Sequence, residues 1–188
     1  MQAMHIRMMA KQVEYEEKYF TRIGYKPYRD VGRHAEVVSV ILKFKPQNVL
    51  DVGCAYGYIV KRLLWTGVEA WGCDISKWCE KQSVIGDRFA CCPAWDLPYK
   101  DKQFDLLLCE GVLEHIEEER MDKVMFEFER VSERRLFQVA YDTPESAAIP
   151  GHVCNHELVW WLDKMPMNTY INAEIKSVDI ERLWVYKV

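Results

Sequence analysis

No apolar run in this 188-residue sequence approaches the length that spans a bilayer, and the N-terminus lacks the short apolar stretch of a secretory signal. Both absences lead to the expectation of a cytoplasmic protein without membrane attachment. Ligand-type cysteine spacing is missing too: the seven cysteines, at 54, 73, 79, 91, 92, 109 and 154, are odd in number and fit no metal pattern. Cys91-Cys92 is a vicinal pair, a poor geometry for an ordinary bridge, and several others fall in apolar runs where cysteine acts as a small hydrophobe. They read as reduced thiols. Excess positive charge is also absent. A net charge of −4 opposes a long basic track for duplex nucleic acid. Arg22, Lys26, Arg29 and Arg33 form one local basic cluster, read here as solvated surface. There is no repeat, low-complexity tract or interdomain linker, and about half the residues are apolar, enough for one domain with a sizeable core.

What is present alternates. Apolar and aromatic residues recur at helical spacing over 8–20, and Gly24 and Pro27 break the pattern. Asp30 is placed to cap a helix running to about Phe44, and Pro46 separates it from the first strand. Strands near 48–52, 69–73, 87–91, 104–109 and 134–140 alternate with helices near 57–66, 76–83 and 117–131. Asn155 is placed to cap a helix to about Lys164, and β-rich runs at 173–179 and 182–188 close the chain. Such alternation implies right-handed βαβ units and a parallel sheet. The expected organisation is an N-terminal helical segment, 1–45, packed on a core, 46–188.

The most telling stretch is Val49-Leu50-Asp51-Val52-Gly53-Cys54-Ala55-Tyr56-Gly57-Tyr58: an apolar strand ends on an acid, breaks into two glycines and enters a helix. Open α/β sheets bind ligands at such turns. The dinucleotide fingerprint G-x-G-x-x-G fails because Ala55 holds its middle-glycine place, and no Lys-Ser/Thr pair follows Gly57 to make a P-loop. Asp51 would repel a pyrophosphate and suits a ligand with an ammonium group. Asp74 ends the next strand about 20 residues on, where an acid can accept ribose hydroxyls; Ser76 stands ready as the cap of the following helix.

Asp-x-Gly-x-x-x-Gly after a hydrophobic strand resembles the first motif of class I S-adenosylmethionine (SAM)-dependent methyltransferases, and three further segments match at the right distances: Cys73-Asp74-Ile75, Trp95-Asp96-Leu97 and Cys109-Glu110-Gly111-Val112-Leu113-Glu114-His115. The pattern is most similar to small-molecule members. The resemblance implies a Rossmann-like three-layer α/β sandwich with a mostly parallel seven-stranded sheet and one antiparallel strand near the C-terminus. It implies SAM as cofactor and S-adenosylhomocysteine as its product. It gives Asp51, Gly53, Cys54, Ala55 and Gly57 to the glycine turn around SAM, Asp74 to the ribose, and Ile75 to the adenine face. Asp96 would take the exocyclic amine, Leu97 would clasp the ring, and Trp95 would add a stacking wall. Cys109 and Glu110 would touch the methionine part or the substrate, and Tyr19 is a further cofactor or substrate candidate.

The expected reaction is methyl transfer to an oxygen or nitrogen of a small-molecule acceptor, by a monomer or homodimer. His115 and His152 are the candidate bases, with Tyr141 and Asp142 beside His152 in sequence. Only a loop's length separates Tyr141 from Cys154, so no large lid is inserted there. A non-catalytic SAM-binding scaffold is the competing class. Glu114-His115 with His152 and His156 is also similar to small-RNA 2′-O-methyltransferases, where Glu-x-x-Glu-His and a later histidine hold a divalent ion. Here Gly111 stands where the first glutamate should be, so no metal is expected.

Overall fold

The computed structural model describes residues 15–23, 27–140, 149, 151–166, 169–170 and 182–187. Strands β1 (Asn48–Val52), β2 (Glu69–Asp74), β3 (Phe89–Cys91), β4 (Phe104–Glu110), β5 (Ser132–Ala140), β6 (Thr169–Tyr170) and β7 (Arg182–Lys187) form one sheet in the order β3-β2-β1-β4-β5-β6-β7, with β5 also pairing β7. The pairs through β6 are parallel, and β7 runs antiparallel to β5 and β6. Strand order reverses between β1 and β4, so a crevice opens beyond their carboxyl ends. That crevice is where the glycine turn lies.

Helices cover both faces. On one side α1 (Gly32–Lys43) and α2 (Tyr58–Trp65) lay Val37, Ile41, Ile59, Val60 and Leu63 against Val49, Leu106, Leu108 and Leu136. On the other, α4 (Met121–Val131) and α5 (Leu158–Lys164) pack Val124, Phe128, Val131 and Trp161 on Leu50, Val52, Leu107, Cys109, Phe137 and Val139. Burial on both faces explains why β1 and β4 are near-continuous apolar runs rather than alternating ones. A short α3 (Lys77–Gln82) closes the β2–β3 crossover, and Ser76 caps it by accepting the Cys79 N–H at 3.1 Å. Among the described residues no helix is long and apolar enough to cross a membrane.

Several local expectations are corrected. Helix α1 starts at Gly32 with Val31 at the cap; Asp30 does not cap it but accepts from Arg62 Nε at 2.9 Å and lies 3.0 Å from His34 Nδ1. Helix α5 starts after Glu157, and Asn155 instead donates to the His152 carbonyl at 2.9 Å. The helix expected from about 117 starts at Met121 instead, after a separate 3₁₀ turn, Glu118–Arg120. Tyr19–Ile23 is a π turn, while most of the expected leading helix and the strand expected at 173–179 lie outside the described residues.

The loop from β3 to β4 carries Trp95, Asp96 and Leu97, and it is fastened to α4 by one arginine. Arg130 donates to the Leu97 carbonyl at 3.0 Å, the Tyr99 carbonyl at 2.7 Å and both oxygens of Glu127 at 2.8 Å. Glu127 in turn accepts the Leu97 N–H at 2.8 Å. The guanidinium holds the Glu127 carboxyl below its ordinary range. A carboxyl whose pKa is lowered by folding stabilises the protein above its unfolded value, and that stability is lost as pH falls through the folded one. Arg130→Ala is therefore expected to cost about 2–3 kcal/mol, or roughly 5–10 °C in melting temperature at neutral pH. Melts at successively lower pH should show that deficit shrinking as Glu127 protonates; a constant deficit would show that the ion pair is not its source.

Candidate active site

The glycine turn is built by main-chain strain and stitching. Gly53, Ala55 and Gly57 have φ of 77°, 48° and 85°, three left-handed residues in five. The Gly53 and Cys54 N–H groups both donate to the Cys73 carbonyl, at 2.8 and 3.0 Å. At Gly53 a side chain is excluded outright, because a Cβ would lie 2.1 Å from Val112 Cγ2. Ala55 pays the left-handed penalty that glycine avoids, of order 1–2 kcal/mol. Its N–H is held by Asp74 Oδ2 at 2.9 Å. The other Asp74 oxygen accepts the Ser76 N–H at 2.9 Å. Burial pushes the Asp74 carboxyl up, against the opposing pull of these main-chain donors.

A cavity of about 480 Å³ opens over this turn, within the range of small-molecule and cofactor sites. Val52, Gly53 and Ala55 form its floor, Asp74, Ile75 and Ser76 one side, and Cys92, Ala94 and Trp95 the next. Gly111, Val112 and His115 bound it after β4, while Tyr15, Tyr19 and Phe20 close it from the leading segment. Arg120 lies 4.3 Å over the Trp95 ring and donates to Glu117 at 3.1 Å. The Tyr19 ring packs edge-on against Tyr15 at 5.0 Å and His115 at 6.4 Å. Its hydroxyl is pushed up to about 12, chiefly by burial and then by the charges of Glu114 and Asp74, so it stays a neutral donor.

On the far side, His115 Nδ1 lies 3.0 Å from the Gly151 carbonyl. A carbonyl only accepts, so Nδ1 carries the proton and Nε2 is the nitrogen left basic. The His152 ring stands perpendicular to it at 4.7 Å. The Glu114 carbonyl takes the Val153 and Cys154 N–H groups at 2.9 and 3.1 Å, joining the loops after β4 and β5. Glu114, His115 and His152 each place a potential ligand atom within 4.8 Å of the others, a group that could hold a metal ion. Tyr141 and Asp142 lie outside the described residues.

Of the residues singled out in the sequence, Gly53, Ala55, Asp74, Ile75, Trp95, Tyr19 and His115 line the cavity. Cys54 and Gly57 sit behind its floor, where Cys54 is buried and Gly57 precedes α2. Cys109 is fully buried in the core on the α4 side. Asp96 is exposed and Leu97 is buried beneath α4, and neither is among the residues that line the cavity, though the adjacent Trp95 is. Asp51 and Glu110 lie at strand ends on the α1 side of the sheet, opposite in facing to Val52 and Cys109. Asp51 Oδ2 and Glu110 Oε2 are buried with no hydrogen-bond partner among the described residues.

Two contributors escaped the sequence. Val112 fills the space over Gly53, and Arg33, read as solvated surface, is instead half-buried and paired with Glu110 and Gln138. Val112 carried no signal beyond its place after the Glu-Gly pair, and Arg33 carried none at all.

Residues 50–135 match the model of the methyltransferase domain family Methyltransf_11, a span from the middle of β1 into β5 that holds the whole turn. The match covers a little under half of the chain, and over that span the chain is similar to a methyltransferase domain. An uncharacterized protein of Methanocaldococcus jannaschii is 37% identical over 86 residues, 43% of this chain and 37% of the relative's length. The matched part thus spans little more than a third of that protein. Among solved structures, magnesium protoporphyrin IX methyltransferase from Synechocystis PCC 6803, with bound SAH, superposes with a TM-score of 0.65 at 17% identity, over 89% of this chain and 94% of that one. A SAM dependent methyltransferase from Archaeoglobus fulgidus gives 0.57 at 16% identity, over 79% and 69% of the two chains. At these identities the likeness is one of fold.

Burial pushes the Asp51 carboxyl well up, reinforced by the neighbouring charges of Glu110 and Asp74. A carboxyl raised in this way favours folding below its unfolded pKa, and the benefit is lost as pH rises through the folded value. Removing the charge should therefore stabilise the ligand-free protein. Asp51→Asn is expected to raise the melting temperature at pH 7, by an amount on the order of 1 kcal/mol or more. The gain should vanish below pH 4. A variant less stable than the parent at pH 7 would show that the ionised Asp51 is compensated after all.

Proposed function

We propose that the cavity binds SAM and that the chain transfers its methyl group to an oxygen or nitrogen of a small-molecule acceptor. The observation that carries this reading is the pairing of a left-handed glycine turn with three carboxylates at the ends of adjacent strands, the buried Asp51 and Asp74 and the partly buried Glu110. Acids at the strand ends, Asp74 in the cavity wall and Asp51 and Glu110 behind it, suit a ligand that is cationic at one end and carries ribose hydroxyls at the other. When bound, SAM supplies an electrophilic methyl group on a sulfonium. The chain has to hold it, aim the acceptor and exclude water, and orientation alone can account for much of the acceleration.

In this reading Asp74 accepts the ribose hydroxyls on lone pairs left after its two main-chain bonds. Ile75 and Trp95 sandwich the adenine, a task the family pattern had shared with Asp96 and Leu97. The main chain of Gly53 and Ala55 approaches the methionine end, whose ammonium answers the charge of Asp51 and Glu110. Cys54, Gly57 and Cys109 shape the turn and the strand end from behind. Tyr19 and His115 face the acceptor side, and His115 Nε2, with His152 beside it, is the group able to take a proton from a hydroxyl acceptor.

A second reading is favoured by one observation, the gathering of Glu114, His115 and His152. It is a metal-assisted RNA 2′-O-methyltransferase, with three donors where that family has four and Gly111 in the remaining place.

Isothermal titration should give SAM binding that is lost in Gly53→Arg and weakened in Asp74→Ala. Unchanged affinity in both variants would sink the assignment. His152→Ala should lower turnover by roughly 10²-fold while sparing SAM affinity, the scale of a lost general base. Turnover abolished by a chelator and restored by manganese would transfer support to the metal reading, and binding without turnover on any acceptor would leave a SAM-binding scaffold.

A further inference from the structure

We propose that Arg33 is a positioning residue for the amino-acid end of SAM: by occupying one oxygen of Glu110, it presents the other oxygen, together with Asp51, to the ammonium group. The inference rests on the SAM reading above. Glu110 and Gln138 are cross-strand partners at the ends of β4 and β5. They share the α1 side of the sheet with Leu108 and Leu136. Arg33, from α1, reaches both. Its Nε donates to Glu110 Oε1 at 2.7 Å, its Nη2 pairs with the same oxygen, and Nη2 also donates to Gln138 Oε1 at 2.5 Å.

This arrangement saturates one oxygen of Glu110 and leaves the other bare. Glu110 Oε2, Asp51 Oδ2 and Gln138 Nε2 are buried atoms without a hydrogen-bond partner among the described residues; Asp51 is 3% exposed, Gln138 0%, and the Glu110 side chain 13%. Leaving buried polar atoms unpaired costs about 1–3 kcal/mol each, more when charged, so native sites seldom keep several together without a ligand for them. The charges do not balance either. Asp51, Glu110 and Asp74 bring three carboxylates to these strand ends, and among the described residues Arg33 is the cation bonded to them, through Glu110. A second cation with several N–H donors would pair with Glu110 Oε2 and Asp51 Oδ2 and offset the charge, and an α-ammonium is such a group; the Gln138 amide N–H, itself a donor, needs an acceptor instead.

The clamp also reaches the cavity wall through the backbone. The Gln138 carbonyl accepts the Gly111 N–H at 3.0 Å, where Gly111 has φ of 64° and lines the cavity. Arg33 thus fixes the side chain and Gln138 the main chain of one turn, Glu110-Gly111-Val112. A residue in the N-terminal segment thereby sets the shape of a site built by β1 and β4.

The test compares two ligands on the whole chain: SAM, and 5′-methylthioadenosine, which keeps the nucleoside and thioether but lacks the amino-acid end. Arg33→Ala should weaken SAM by about 10-fold or more and leave methylthioadenosine within about twofold of the parent, the scale of a charge-assisted hydrogen bond. Arg33→Lys, with one donor group in place of a fork, should recover part of the loss. Glu110→Gln keeps an acceptor for Arg33 and removes the charge, so it should show the same selective loss even if Arg33→Ala fails to fold. Equal weakening of both ligands, or unchanged SAM affinity in every variant, overturns the proposal. A parent chain that binds methylthioadenosine as tightly as SAM overturns it while leaving the nucleoside site intact. A parent that binds neither overturns the SAM reading itself.

Discussion

The bond on which the rest of the site depends runs from Ala55 N–H to Asp74 Oδ2, 2.9 Å long and buried. It joins the turn after β1 to the end of β2, and it holds in the left-handed region a residue that would otherwise leave it. Once Ala55 is pinned, Gly53 and Cys54 can reach the Cys73 carbonyl and Gly57 can open α2. The same carboxylate orders the next segment by accepting the Ser76 N–H, which lets Ser76 cap α3. One acid thereby fixes two turns, two helix starts and the floor between them.

The placement of that acid has a thermodynamic side. Asp51 and Asp74 are raised by burial, and in Asp51 the raise is fed by other acids nearby. A fold selected for stability alone would put amides or apolar groups there. Elsewhere the chain behaves differently: Glu127 receives two bonds from Arg130 and one from a main-chain N–H and is lowered. The contrast between a satisfied structural carboxylate and unsatisfied ones at the strand ends separates the groups that hold the fold from those that face a ligand.

Most of the architecture was legible because it depends on local pattern. The apolar runs at Val49–Val52 and Leu106–Cys109 could only be strands covered on both faces, and the glycines at 53 and 57 marked the turn between strand and helix. Helix starts were less legible. Asp30 and Asn155 are good cap residues by type, yet each is claimed by a partner that sequence does not display, Arg62 for the first and the His152 carbonyl for the second. Asp96 and Leu97 matched a family pattern, but their loop is drawn under α4 by Glu127 and Arg130, contacts 30 and 33 residues away. Arg33 was the hardest to see. Its partners lie 77 and 105 residues distant, and a basic cluster on an acidic chain looks like any solvated surface.

The two walls of the cavity are fastened by different means. Beyond β4 and β5, the Glu114 carbonyl takes two main-chain donors from the neighbouring loop, and His115 is tied to Gly151, so those loops behave as a single piece. The opposing wall of Tyr15, Tyr19 and Phe20 meets the rest of the site through rings, edge-on from Tyr15 and Tyr19 to His115 at 5.7 and 6.4 Å and tilted from Phe20 to Tyr56 at 5.6 Å, and through the Phe20 carbonyl, which accepts the Tyr28 N–H at 2.9 Å. Ring contacts are less directional than main-chain hydrogen bonds, so they define a surface by shape more than by fixed donor and acceptor positions. A ligand in the crevice therefore meets fixed polar positions on the histidine side and a moulded aromatic surface on the other.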